Sequence, residues 1–102
     1  MLPLFQLSTR IYDEEIMLVN NAMVELEKQC NVSNGFTLGK PISKLGWTTF
    51  NLQLSLEMET IIEKSGMMEG ALGYKIGEQL KNFLGHFLES KGSNVRIKKI
   101  GY

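Results

Sequence analysis

The strongest constraint on the fold is a long alternation of apolar and polar residues over positions 48–58. Successive side chains of a β-strand point to opposite faces of a sheet, so this pattern predicts a strand with one buried face. Weaker alternations predict strands over residues 4–11 and 94–100. A short fourth strand is expected at residues 36–38, because Gly39-Lys40-Pro41 then ends it at a turn or a sheet edge.

A first amphipathic helix is predicted over residues 13–30. The acidic residues at positions 13–15 suit the positive end of the helix dipole, and Asn34-Gly35 marks the stop. Apolar residues recur at alternating spacings of three and four, which places them on one buried stripe. This stripe comprises Tyr12, Ile16, Val19, Met23, Leu26 and Cys30.

A second helix is predicted over residues 67–90. A capping-box pattern at residues 60–63 favours an earlier start. In a helix that began there, however, Glu69 would face the core, so a break near Ser65-Gly66 is expected. The predicted apolar arc of this helix comprises Leu72, Ile76, Leu80, Phe83, Leu84 and Phe87.

The order of these elements suggests an internal repeat. The sequence FQLS at residues 5–8 is echoed by LQLS at residues 52–55, and each copy precedes a helix and then a strand. Two such motifs, over about 1–46 and 47–102, form one α+β domain of the ferredoxin-like order β-α-β-β-α-β. Right-handed crossovers place both helices on the same face of its sheet.

Composition narrows the function by exclusion. The chain has 102 residues, with 11 Lys and Arg against 11 Asp and Glu, which argues against a strongly basic nucleic-acid binder. One cysteine and one histidine remove an internal disulfide and most metal or acid–base sites, so we expect no enzyme activity, no metal and no cofactor. No signal-peptide pattern and no membrane-spanning run are present, so a cytoplasmic protein without a membrane partner is expected.

The residues with reactive side chains favour structural interpretations. His86 lies on the polar face of the second helix and is interpreted as a surface histidine. Cys30 ends the first apolar stripe and is interpreted as a buried thiol. Glu57 and Glu59 share one face near the end of the predicted strand, where solvent exposure is a better interpretation than a cation site.

Glycines in the second helical segment are unusual, because each glycine inside a helix costs about 0.5–1 kcal/mol relative to alanine. Gly73 and Gly77 lie on one flank of the apolar arc and would allow another backbone to approach closely. Three interpretations stay open: close packing of the two helices, a groove for a partner segment, or the seam of a homodimer. Met17 and Val24, on the outer side of the first helix, would offer adaptable apolar contacts.

These patterns predict a small non-catalytic protein–protein interaction module. A partner peptide would lie in the groove between the two motifs or add a strand along the sheet edge at residues 94–100. The predicted partner-binding residues are Gly73, Gly77, Met17, Val24, Arg96 and Lys98.

The alternative is a nucleic-acid-associated accessory protein. It would use a small basic edge patch, formed by Arg10, Arg96, Lys98 and Lys99. RNA-recognition modules share the predicted element order, but they stack bases on aromatic side chains of the open sheet face. The alternation over residues 49–57 instead places polar side chains on that face and Phe50 inside. Phosphate contacts would make binding steeply dependent on salt, whereas a peptide groove would not.

Overall fold

The computed structural model describes residues 3–68 and 76–101 and confirms an α+β architecture with an antiparallel open sheet. Five strands and three helices are described. In chain order they are β1 (Leu4–Thr9), α1 (Tyr12–Cys30), β2 (Phe36–Leu38), β3 (Ile42–Lys44), β4 (Trp47–Leu54), α2 (Leu56–Lys64), α3 (Ile76–Ser90) and β5 (Arg96–Gly101).

The sheet has the order β2-β4-β1-β5, and β3 pairs with the same edge of β4 as β2 does. Strand β1 lies between β4 and β5, so Gln6 is opposite Asn51 on one side and Lys98 on the other. The described order is β-α-β-β-β-α-α-β, which differs from the predicted order by one extra strand and by the division of the second helical segment.

The long strand predicted over residues 48–58 is wrong at its C-terminal end. Strand β4 stops at Leu54, because Ser55 caps α2 and its hydroxyl accepts a hydrogen bond from the Met58 amide at 3.1 Å. The remaining apolar residues therefore follow a helical period. Leu56, predicted to be in the core, is 62% exposed, whereas Met58 is fully buried.

The second helical segment is divided, as expected from the position of Glu69 in a continuous helix. Helix α2 begins before the predicted capping box of residues 60–63 and ends at Lys64, and a turn over residues 65–68 confirms the break near Ser65-Gly66. Met67 and Met68 therefore lie in a turn, where the start of the helix was predicted. Residues 69–75, which include Leu72 and Gly73, are outside the described residues, and α3 is described from Ile76.

One apolar cluster joins the three helices to one face of the sheet. Phe5 and Leu7 of β1 and Phe50, Leu52 and Leu54 of β4 are buried in it. The predicted stripe of α1 supplies Val19, Met23, Leu26 and Cys30, and α3 supplies Leu80, Leu84 and Leu88. The intervening strand residues are not buried in this cluster, so the opposite face of the sheet carries no helix in the described part of the chain.

Strand β3 was not predicted. It forms a hairpin with β4 through the two-residue turn Leu45-Gly46, in which both residues have positive φ, 53° and 81°. All three residues of β3 are exposed, so the segment has no buried face. It therefore lacks the hydrophobic alternation that would predict a strand.

Candidate binding face of the sheet

The face of the sheet opposite the helices, called here the open face, is lined by alternate residues of its strands. Register places the side chains of Gln6 and Ser8 of β1 beside those of Asn51 and Thr49 of β4. On the other side of β1, Lys98 and Arg96 of β5 face the same way. Leu4, Trp47 and Gln53 lie on the same face. So do the residues opposite β4 on its other edge, which are Thr37, Ile42 and Lys44.

One end of the open face carries a cluster of two arginines around one tryptophan. The guanidinium carbon of Arg10 is 5.0 Å from the centroid of the Trp47 ring, and that of Arg96 is 4.8 Å from it. Both distances are within the range of cation–π attraction. We call these three residues the arginine–tryptophan cluster. It brings together the ends of three strands that are far apart in sequence, and it fixes two positive charges beside an aromatic ring.

Charge is strongly segregated between the sheet and the helices. Among residues 3–68 and 76–101, every aspartate and glutamate lies in a helix. The helices carry only three of the described cations, and the strands and loops carry the other seven: Arg10, Lys40, Lys44, Lys91, Arg96, Lys98 and Lys99. The zero net charge of the chain therefore hides a basic sheet and an acidic helical layer, and the expectation drawn from net charge missed this separation.

The basic sheet meets the acidic helical layer at the start of α1. A cavity of about 430 Å³ is lined there by Arg10 and Thr48 from the sheet, and by Asp13 and Glu14 from the first helical turn. These carboxylates are on the helix and not on the open face, so they limit the positive surface on one side. The end of the open face opposite the arginine–tryptophan cluster contains a depression of about 280 Å³, lined by Leu4, Thr37, Gly39, Asn51 and Gln53.

The structure separates the six predicted partner-binding residues. Arg96 and Lys98 are exposed on the open face, whereas Met17, 67% exposed, and the half-buried Val24 lie on α1 in the other layer. Gly77 is buried in α3, which favours its interpretation as a close-packing position over a place in an open groove. Gly73 lies outside the described residues. Partner binding by these residues stays a prediction.

Trp47 and Lys44 lie on the open face but were not among the functional residues predicted from the sequence. The signal for Trp47 was present, since it continues by one step the outward series of Thr49 and Asn51. The predicted strand began one residue too late to include it. Lys44 had no such signal, because it lies on the unpredicted β3 and is opposite Trp47 across the hairpin.

The residues with reactive side chains stand apart from the open face. Cys30 is buried at the end of α1, and burial raises the pKa of its thiol, which disfavours the nucleophilic thiolate. His86 is exposed on α3. Glu57 and Glu59 do not share a strand face as predicted, because both lie in α2, and Glu59 is buried. The described residues contain no group of three or more His, Cys, Asp or Glu side chains able to hold a metal ion.

Glu63 of α2 has a carboxyl group whose pKa is altered by its surroundings. Burial raises the pKa of Glu63, and so do the hydrogen bond and the negative charge of Glu59 one turn away, while Lys64 opposes the shift. A raised pKa in the folded state means that protonation favours folding. This contribution is present at acidic pH and is lost as the pH rises through the folded pKa of Glu63.

We therefore expect Glu63→Gln to raise the melting temperature at neutral pH. The gain should shrink as the pH falls from about 7 to about 4, because the wild-type carboxyl is increasingly protonated over this interval. Thermal melts of both proteins across this range measure the difference. Glu57→Gln, at an exposed position of the same helix, is the control and should bring no such gain. A gain from Glu63→Gln that is equal at both ends of the range would contradict the assignment.

The chain matches no protein-family model, and no curated protein or solved structure is similar enough to it to show a relationship. None of the helices that the structure describes is long and apolar enough to cross a membrane. The open face, which carries the arginine–tryptophan cluster and a surplus of positive charge, is the candidate functional site.

Proposed function

We propose that this protein binds single-stranded nucleic acid across the open face of its sheet. The observation that carries the proposal is the arginine–tryptophan cluster, in which Arg10 and Arg96 both contact the Trp47 ring on a face that none of the described helices covers. Such a face combines two elements of single-strand recognition: cations for the phosphates and an aromatic or guanidinium plane on which a base stacks.

The rest of the open face suits the same ligand. Lys44 and Lys98 extend the positive charge along two directions from the cluster, and no carboxylate lies on the described strands. Between them, the side chains of Gln6, Asn51 and Gln53 offer hydrogen-bond donors and acceptors to exposed base edges. A sheet of this shape presents its side chains to bases that are already unstacked, which favours a single strand over a duplex.

The decisive experiment uses Trp47 as a built-in reporter, since it is the single tryptophan of the chain. Titration with a single-stranded oligonucleotide should quench its fluorescence, and the apparent affinity should fall steeply with salt. Arg96→Gln is expected to weaken binding about tenfold and to reduce the slope of log affinity against log salt by about 0.7–1. Lys28→Gln is the matched control, because it removes the same charge from the exposed side of α1.

Two results would overturn the proposal. Wild-type protein that leaves the oligonucleotide unbound at low salt would refute it directly. Equal losses of affinity in Arg96→Gln and Lys28→Gln would show that charge acts without a defined site, and the open face would then have no special role.

A second candidate, binding of a partner peptide, is favoured by the position of β5. Among the described strands β5 pairs with β1 alone, so its outer edge presents backbone groups to which an extended peptide adds as a further strand. The cations at Arg96, Lys98 and Lys99 would select an acidic peptide. In an isotope-labelled sample, such a peptide should shift the amide signals of β5 in saturable fashion. Absence of these shifts would rule the peptide out.

In both candidates the protein acts by binding, without catalysis or a cofactor. We also propose that the sheet is a ferredoxin-like sheet of two related motifs, in which hairpin strand β3 is an insertion. The antiparallel order β2-β4-β1-β5 supports this relationship, and so does the shared outward orientation of Gln6 and Gln53. Superposition of residues 1–46 on 47–102 in a crystal structure tests it, and Gln6 and Gln53 should then occupy equivalent positions.

A further inference from the structure

The tip of the β3–β4 hairpin carries a residue that suits neither its backbone conformation nor its exposure. Leu45 has a φ of 53° and its side chain is 89% exposed. Tight hairpin turns with positive φ at both central positions are normally built from Asn, Asp and Gly, because other residues are strained there. Strain of this kind is typical of positions kept for function.

Nothing inside the described chain accounts for leucine at this tip. A side chain so exposed contributes little to the core, and the cluster of buried residues does not include Leu45. Ile42, on the adjacent strand of the same hairpin, is 69% exposed. The hairpin therefore presents two aliphatic side chains to solvent within a few residues of each other.

The surroundings of the tip indicate what these side chains meet. Lys44 directly precedes Leu45 and is opposite Trp47, which places the tip beside the arginine–tryptophan cluster. The described strand and loop residues of this region carry positive charge alone, and the nearby carboxylates of Asp13 and Glu14 belong to the first turn of α1, away from the open face. Aliphatic side chains surrounded by cations are complementary to a nucleic acid, in which apolar stacked bases lie beside charged phosphates.

We propose that Leu45 is a wedge that inserts between two neighbouring bases of the strand bound on the open face. This inference rests on the proposed nucleic-acid binding and adds a consequence for the ligand: one base step is opened at the hairpin tip. A phosphate beside the opened step would lie near Lys44, which directly precedes the tip in sequence. The adjacent base would then stack at the arginine–tryptophan cluster.

The test uses oligonucleotides that contain 2-aminopurine, whose fluorescence rises when its base is unstacked. Wild-type protein should raise this signal when the probe occupies one position along the strand. Leu45→Asn should abolish the rise and weaken binding about tenfold, since one apolar contact with the bases is lost. The same variant should melt at an equal or higher temperature, because asparagine tolerates positive φ better than leucine. Leu56→Asn, the same replacement of another exposed leucine, is the matched control and should leave the signal intact.

The outcomes separate this inference from the proposed function. Binding of the oligonucleotide with no rise in 2-aminopurine fluorescence, or an undiminished rise in Leu45→Asn, would overturn the wedge alone. Failure of the wild type to bind any oligonucleotide would overturn both. A parallel arm with vesicles of phosphatidylserine and phosphatidylcholine asks whether the tip enters lipid instead. Vesicle binding that Leu45→Asn abolishes, without any effect on 2-aminopurine, would replace the wedge by a lipid anchor.

Discussion

Replacing Leu54 with alanine is expected to lower the free energy of unfolding by about 2–5 kcal/mol. Leu54 is fully buried at the end of β4, where it is opposite Phe36 of β2. Alanine would leave a cavity between the sheet and the helical layer that the neighbouring strands cannot close. A domain of this size is stable by only about 5–15 kcal/mol, so the loss would be a large fraction of the total. Urea denaturation of both proteins measures it.

Gln53→Ala is the control for this prediction. Gln53 is the next residue along the same strand, but its side chain lies on the open face beside Leu4 and Thr37. Its loss should change stability by less than about 0.5 kcal/mol. Comparable losses for the two variants would show that the two faces of β4 have been assigned wrongly.

Replacing Glu15 with alanine is expected to lower the free energy of unfolding by about 3 kcal/mol. This loss is larger than the interaction of a first-turn acid with the helix dipole would cause. Glu15 is only 2% exposed. One of its carboxylate oxygens accepts hydrogen bonds from the Ser93 hydroxyl at 2.6 Å and from the backbone N–H of Asn94 at 3.0 Å. Hydrogen bonds to a charged group contribute about 1.5–3 kcal/mol each, and a buried hydroxyl left without its partner adds a further cost. Chemical denaturation gives the value directly.

The same substitution should also weaken the arginine–tryptophan cluster. Glu15 holds the segment that leads into β5, and Arg96 is the first residue of that strand. Displacement of the segment would move Arg96 away from Trp47, and the tryptophan emission should change. Glu57→Ala, which removes an exposed acid from the first turn of α2, is the matched control and should alter neither stability nor emission appreciably. Retention of full stability in Glu15→Ala would refute this role for the carboxylate.

Local patterns in the sequence were sufficient wherever one face of an element is buried. The stripe of α1 was predicted with its residues and nearly its bounds, and β2 was predicted at its observed position. Both depend on hydrophobic periodicity and on nearby breakers, which act over a few residues. The same rule explains the failure at β4 and α2, because apolar residues at alternate positions continued across Ser55 while the backbone changed from strand to helix. A serine hydroxyl and a helical cap decided that boundary.

What the sequence determined by itself is therefore the class of fold, the buried faces of β1, α1 and β4, and the break near Ser65-Gly66. Tertiary structure alone decided the candidate site. Arg10, Trp47 and Arg96 belong to three different strands or their ends, and no spacing in the sequence relates them. Strand register brings them together, because the antiparallel pairing of β1 with both β4 and β5 fixes which side chains share a row. The separation of basic sheet from acidic helices has the same origin, since net charge is a sum over residues and carries no information about their positions.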